Sequence, residues 1–288
     1  MMKNKFKDIP NIFYINSEDR VDLKEYTENN LINIGISNFT RVSNLQFHPE
    51  DFESWKYCVY NTIKSTPEIR SELSLSSLYI HTIKKWLEDT TEKYMIIMSD
   101  HVDYSYVEYL YEDWDWNYFM NNIPHDWDSL LLGFEDQLNI LPCFLHPMRD
   151  SHSTGVTLLN RKYAEKLVKF HYIDGQYNFF QKISNQFWKN KDGLIPLHYF
   201  LNQCGKSYAI PIFPRNPELT EDKYFSSEVL QNNKKLYLLW WKKCRDYNNL
   251  EQFHLYHSAK DFYLNLNQLT GKTKKIGDNN INRDFLLF

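Results

Sequence analysis

Apolar residues in this chain fall into short unbroken runs, separated by stretches where they return every third or fourth position. The first run, Ile12 to Ile15 inside Ile9–Asn16, reads as a buried strand entered through Pro10. After the polar turn Ser17–Arg20, apolar positions at helical spacing cover Val21 to Leu31, and Asn33 to Val42 returns to an extended path punctuated by Gly35. Leu75, Leu78, Tyr79, Thr82, Ile83 and Trp86 recur at spacings that predict an amphipathic helix over Leu75–Leu87. Lys93–Met98 is too short for anything but a buried strand, and it runs into Ser99, Asp100, His101, Val102 and Asp103. A helix is expected up to Pro124, then a strand over Ser129–Gly133, a strand over Gly155–Leu159 and a helix over Arg161–His171. Beyond them come helix in Asp174–Phe200, a further helix over Pro196–Cys204 and a last strand in Lys206–Phe213.

Strands alternating with helical patterns predict an α/β layer fold: a Rossmann-type, mostly parallel sheet with helices on both faces. Ile12–Ile15, Tyr94–Met98 and Ser129–Leu132 should be neighbours or near-neighbours in it. Phe47–Arg70 is irregular, with a short helix expected around Trp55, Tyr57 and Val59. Phe134–Ser153 reads as a long loop of the binding or lid kind. From Glu218 the composition shifts toward Asn, Lys, Leu and Tyr, with helix expected over Glu228–Cys244 and Ser258–Leu266. The expected organisation is therefore a main domain, residues 1–217, and a helical C-terminal appendage packed on it, residues 218–288.

Composition narrows the function classes. With 33 Lys and Arg against 37 Asp and Glu, the formal charge is -4 and no long basic block offsets it, so nucleic acid is not an expected partner. Four cysteines far apart, none in a CxxC pair, fit reduced thiols better than a disulfide scaffold or a zinc knot. The start of the chain lacks the apolar length of a signal peptide and no stretch suits a membrane span, so a cytoplasmic protein is expected. An aromatic share of 17% fills a core or supplies stacking platforms, among which Trp114 and Trp116 are candidates. No GxGxxG follows any predicted strand, which argues against a dehydrogenase. A two-metal nuclease or phosphatase would need further ordered carboxylates that the sequence does not present.

The sharpest local chemistry is the pair Asp100 and Asp103, three apart after a buried strand, with His101 between them. Open α/β sheets place their chemistry at the carboxyl ends of strands, and hard divalent cations prefer carboxylate oxygens. Asp also caps helices and starts turns, and His101 also suits a hydrogen-bonded loop position.

The order of these segments resembles glycosyltransferase family 25, the group of lipopolysaccharide-type and collagen galactosyltransferases, especially its viral and marine-phage branch. The family opens with a strand and a signature like INLDRRxDR. Here Asn16, Arg20 and Asp22 agree, while Glu18 and Leu23 depart from it. His81 is what remains of the GCxxSH helix, and Met98, Ser99, Asp100, His101 stand where the family has a strand ending in EDD. Pro124, Trp127 and Asp128 before SLLLG match a following Pro and WD, and Thr154–Leu167 matches a strand leading into RxxAEKL. His198 in PLHYFL occupies the Asp of a PxDxFL phrase. The resemblance spans roughly residues 9 to 215.

The resemblance implies a GT-A-like fold and a metal-dependent, inverting glycosyltransferase. Such an enzyme moves a sugar from a nucleotide sugar, UDP-sugar by expectation, to a hydroxyl of a glycan or glycoprotein acceptor. It implies Mn²⁺ or Mg²⁺ held by Asp100, Asp103 and His101, and nucleotide contacts from Asn16, Arg20, Ser99 and Asp100. Candidate bases for the acceptor hydroxyl are Asp192, His198 and Asp128, and the pair His254 and His257 offers a late ligand from the C-terminal segment. Ser99, His101 and His198 replace acidic residues of the family. The alternative is a decayed member that only binds sugar nucleotide or glycan. Oligomeric state, donor sugar and acceptor stay open, a homo-oligomer included.

Overall fold

The computed structural model describes residues 4–43, 67–110, 114–123, 125–133, 144–145, 155–177, 201, 205–210 and 212–219, together with 228, 231–232, 234–235 and 237–238. The elements are β1 (Ile12–Ile15), α1 (Val21–Asn33), β2 (Phe39–Val42), α2 (Pro67–Asp89), β3 (Tyr94–Ser99), α3 (Trp116–Asn122), β4 (Ser129–Leu131), β5 (Phe144–Leu145), β6 (Val156–Asn160), α4 (Arg161–His171), β7 (Tyr172–Ile173), β8 (Gln176–Tyr177) and β9 (Ser207–Ala209). A 3₁₀ turn over Ser105–Tyr109 follows β3.

Among the described residues seven strands form one sheet in the order β2-β1-β3-β6-β4-β9-β5. β1 pairs in parallel with β2 and with β3, and β4 with β9. β6 is antiparallel to β3 and to β4, and β5 is antiparallel to β9. Five of the seven strands therefore point the same way, which is the mixed, mostly parallel sheet the alternation of strand and helix predicted. β1 and β3 are neighbours, and β4 is one strand beyond β6, so the three apolar runs sit as expected.

Period-2 alternation sends each strand's residues to opposite faces, and two cores result. Ile12 and Tyr14, Ile96 and Met98, Val156 and Leu158, with Leu130, face a core that also takes Leu31 of α1 and Phe119 of α3. Ile15, Met95, Ile97 and Leu159 face the other, covered by Leu78, Ile83 and Trp86 of α2 and Tyr163, Ala164 and Leu167 of α4. Helices thus cover both faces. In α1 the inward residues Leu23, Thr27 and Leu31 are spaced four apart on a helix of little amphipathic contrast, so tertiary burial fixes it. Helix α4 starts cleanly because Asn160 accepts a hydrogen bond from the Tyr163 amide at 2.7 Å while its own amide donates to the Trp127 carbonyl.

Two differences from the sequence reading have physical reasons. The stretch Asp174–Phe200, expected to carry a helix, opens inside a tight hairpin over Tyr172–Tyr177 whose Asp174 and Gly175 take φ of 50° and 82°, and its residues 178–200 lie outside the described ones. Asp-Gly at the two central positions is the strongest short hairpin signal, and it lies at the foot of α4. The segment Phe134–Ser153, read as loop throughout, supplies β5, whose backbone pairs with the edge of β9. The short helix around Trp55, the helix over Ser258–Leu266 and, apart from the buried Leu201, the segment Pro196–Cys204 lie outside the described residues. Among the described residues no helix is long and apolar enough to cross a membrane.

Candidate functional site

The chain leaves β1 through α1 to β2 on one side, then crosses back to β3 on the other side of β1. The order of strands reverses between β1 and β3. In open α/β sheets the crevice at the carboxyl ends of such a pair is where ligands bind. Asn16 follows β1 and Asp100 follows β3, and register pairs Ile15 with Ser99, so the two residues emerge side by side.

They meet directly. The Asn16 amide donates from Nδ2 to Asp100 Oδ2 at 2.7 Å and to the Arg20 carbonyl at 3.0 Å. Its Oδ1 accepts from Arg41 Nε at 3.0 Å, and Arg41 Nη2 reaches the Ser17 carbonyl at 3.3 Å. On the far side of Asp100, Oδ1 lies 2.7 Å from His101 Nδ1. A continuous line of polar contacts therefore runs Arg41, Asn16, Asp100, His101 across the ends of β2, β1 and β3. Asn16 is 1% exposed and Asp100 5%, so these contacts replace water almost completely. Both amide hydrogens of Asn16 are used and its oxygen is occupied. Asn16 therefore joins the site as a buried connector.

The loop after β3 is held from two directions. From α1, Thr27 Oγ1 donates to the Asp100 carbonyl at 3.3 Å and Tyr26 donates to the Val102 carbonyl at 3.1 Å. From the other side, Val102 bridges Arg215, the Asp103 amide donates to the Pro214 carbonyl and the Asn216 amide to the His101 carbonyl, each at 2.7 Å. Asp103 is 4% exposed; it accepts from the Ser105 amide at 2.9 Å and pairs with Lys234 at 2.7 Å. Lys234 belongs to the C-terminal segment, whose carbonyl there accepts from Tyr106 and whose Tyr237 is buried against the same ring. Burial pushes the Tyr26, Tyr104 and Tyr106 phenols up, so around this loop they are neutral.

The remaining candidates divide. Arg20 brings its carbonyl to Asn16, while its guanidinium forms an exposed ion pair with Asp22, whose hydrogen bond raises the arginine and lowers the acid. Ser99 ends β3; its hydroxyl is buried and has no hydrogen-bond partner among the described residues, and a side chain at Gly155 would stand 3.5 Å from it. Asp103 is near Asp100 in sequence yet turns to Lys234, and among the described residues no three His, Cys, Asp or Glu side chains gather to hold a metal ion.

Asp128 is not brought to this site. Register places Ser129 level with Met95, both opposite Leu159, so Asp128 precedes β4 at the amino end of the parallel strands. Asp100 lies at the carboxyl end, about six strand residues or roughly 20 Å further along. There Asp128 accepts from the Lys206 amide at 2.9 Å, and Gly205 allows that approach because a Cβ would lie 2.6 Å from the Asp128 side chain. In that position Asp128 seats β9 beside β4, and the fold does not bring this candidate base together with Asp100. Trp114 and Trp116 are core residues, 0% and 2% exposed, packed on Phe119. His81 lies on α2 with Nδ1 3.3 Å from the Tyr177 hydroxyl. Asp192, His198, His254 and His257 lie outside the described residues.

Arg41, Thr27, Tyr26, Asn216 and Lys234 are the residues sequence reasoning missed. Arg41 carried a signal, as a charge inside the four-residue strand Phe39–Val42. The others are ordinary surface residue types whose positions only the fold brings to this loop.

No known family and no curated protein matches the sequence. Among solved structures the chain is similar to A197 from STIV, with 12% identity, a TM-score of 0.32, and coverage of 71% of this chain and 83% of that one. It is also similar to the inositol-1-phosphate CTP transferase from T. maritima, with 10% identity, a TM-score of 0.33, and coverage of 78% and 95%.

Proposed function

We propose that this chain is a metal-dependent, inverting glycosyltransferase that uses a nucleotide sugar, UDP-sugar by preference, on a hydroxyl of a glycan or glycoprotein acceptor. The observation that carries the reading is the junction of Asn16 and Asp100 at the carboxyl ends of β1 and β3, where the strand order reverses. A buried carboxylate there, aimed by one amide and flanked by an imidazole, suits recognition of a charged ligand.

Asp100 and His101 would hold a divalent cation in exchange for the contact that now joins Asp100 Oδ1 to His101 Nδ1. Mg²⁺ in nucleotide-dependent enzymes is commonly bound by one or two carboxylates, with water and substrate phosphates completing the shell, so a small protein donor set is adequate. His101 adds a nitrogen that Mn²⁺ accepts. We leave Asp103 to its pair with Lys234, where it fixes the loop that carries Asp100. The cation would neutralise the departing diphosphate. The protein's own part is positional: Asn16 sets the rotation of the Asp100 carboxylate through Oδ2, Thr27 holds the Asp100 carbonyl, and Pro214 and Asn216 hold the loop after it through the Asp103 amide and the His101 carbonyl. Asp192 or His198 would receive the acceptor proton as the hydroxyl attacks the anomeric carbon from the face opposite the diphosphate.

A second reading, a binding protein on the same fold, is favoured by Ser99. Its buried hydroxyl, without a partner among the described residues, stands where the resembled family has an acid. Thermal denaturation separates the two from an unrelated function. Mn²⁺ with UDP should raise Tm together by linkage, about 2.7 kcal/mol of stabilisation at a hundredfold excess over Kd, and Asp100→Asn should remove the Mn²⁺-dependent part. Transfer with any UDP-sugar donor then selects the enzyme, and ligand binding without transfer selects the binding protein. No stabilisation by nucleotide with or without Mn²⁺ refutes both.

A further inference from the structure

We infer that Arg41 is an anion-binding residue of this site and that it takes the phosphate groups of the nucleotide. This rests on the nucleotide-dependent reading above and adds a residue to it. Arg41 stands opposite Tyr14 in the register of β1 and β2, so both side chains rise from the same face of the sheet. From there the guanidinium reaches past the end of β1 and fixes itself on two neutral oxygens, Asn16 Oδ1 and the Ser17 carbonyl. A guanidinium carries five N–H donors, and these two contacts leave three for other acceptors.

Among the described residues no carboxylate lies within ion-pair distance of Arg41; Glu28, the acid held by the neighbouring Tyr14, binds the phenol, and Glu18 binds Ser43. Asp100 is separated from Arg41 by the whole Asn16 amide, which faces the cation with its oxygen and the anion with its nitrogen. Arg41 is half-buried, so solvent only partly compensates its charge.

The pieces fit one ligand class. Arg41 supplies a fixed positive charge with a planar fork of donors on the β2 side, and Asp100 with His101 would hold the proposed cation on the β3 side. A diphosphate lying across the end of β1 meets both, and arginine forks match phosphate oxygens in pairs. The bond to Asn16 Oδ1 holds the fork at Nε, so the guanidinium is pre-oriented before any ligand arrives.

Calorimetric titration of the full chain with UDP, inorganic pyrophosphate and uridine tests this, in EDTA and again in Mn²⁺, on the parent, Arg41→Gln and Asp100→Asn. The expected result is that Arg41→Gln weakens UDP and pyrophosphate about 10- to 100-fold, with or without Mn²⁺, and leaves uridine unchanged. Asp100→Asn should remove only the gain that Mn²⁺ brings. If Arg41→Gln folds with a lower Tm yet binds UDP as tightly as the parent, Arg41 is a loop brace and the inference is overturned, while the nucleotide reading survives. If the parent binds neither UDP nor pyrophosphate under either condition, that reading falls and takes this one with it. Should Arg41→Gln not fold, Arg41→Lys decides, because it keeps the charge and loses the fork. Binding weakened about tenfold supports the inference, and unchanged binding overturns it.

Discussion

Replacing Asn16 with Ala tests the connector at the centre of the site. The side chain is almost wholly buried and makes three hydrogen bonds, to Asp100 at 2.7 Å, to the Arg20 carbonyl at 3.0 Å and from Arg41 at 3.0 Å. Two involve a charged partner, each worth about 1.5 to 3 kcal/mol, and the third about 1 kcal/mol. Arg41 is only half-buried and regains part of its loss from water, so the sum falls to about 4 kcal/mol. For a chain of this length that lowers Tm by roughly 8 °C. Circular dichroism melting measures it, with urea denaturation as an independent check. Asn16→Asp sharpens the test, because it keeps the shape and puts a second carboxylate against Asp100. One proton is then shared, the folded-state pKa of the pair rises above its unfolded value, and the stability deficit shrinks as pH falls through that raised pKa. The reasoning is refuted if Asn16→Ala costs less than about 1 kcal/mol, or if the deficit of Asn16→Asp grows on acidification between about pH 7 and pH 5.

Lys234→Ala leaves the Asp103 carboxylate buried with only the Ser105 amide as partner; because Lys234 is itself 32% exposed, a loss of about 2 kcal/mol is expected rather than the larger cost of breaking a fully buried pair. Hydrogen exchange should quicken at the 100–109 amides in this variant, and exchange unchanged from the parent would show that the C-terminal segment does not hold the loop. His81 should titrate below the ordinary histidine value of about 6.5, because partial burial and then Lys84 and Lys85 disfavour its charged form. Its contribution to stability is therefore complete above that value and is lost as pH falls toward the lowered folded-state pKa, an effect kept small by its partial exposure; an NMR midpoint at or above 6.5 would contradict the placement.

The sequence by itself determined the layers. Short apolar runs flanked by helical spacing can be buried on two faces only between helices, and the three runs expected to neighbour one another do so through β1, β3 and β4. The position of Asp100 at a strand's carboxyl end was equally legible, since a run as short as Tyr94–Met98 must end where the polar residues begin. Direction was not legible. A run of Val, Thr and Leu looks the same in either sense, and only the path of the chain made β6 antiparallel between β3 and β4. Strand direction also decided which edge each residue occupies, and so took Asp128 about a strand's length away from Asp100 although both looked like polar residues beside an apolar run. Partnership lies in the tertiary structure as well. Asp100 and Asp103 are three apart and chemically identical, yet one meets Asn16 from β1 and the other meets Lys234 from more than a hundred residues downstream. Spacing along the chain fixes which groups share a loop; what each group faces depends on elements that arrive from elsewhere, and those contacts separate the carboxylate that joins the ends of β1 and β3 from the one that holds the loop in place.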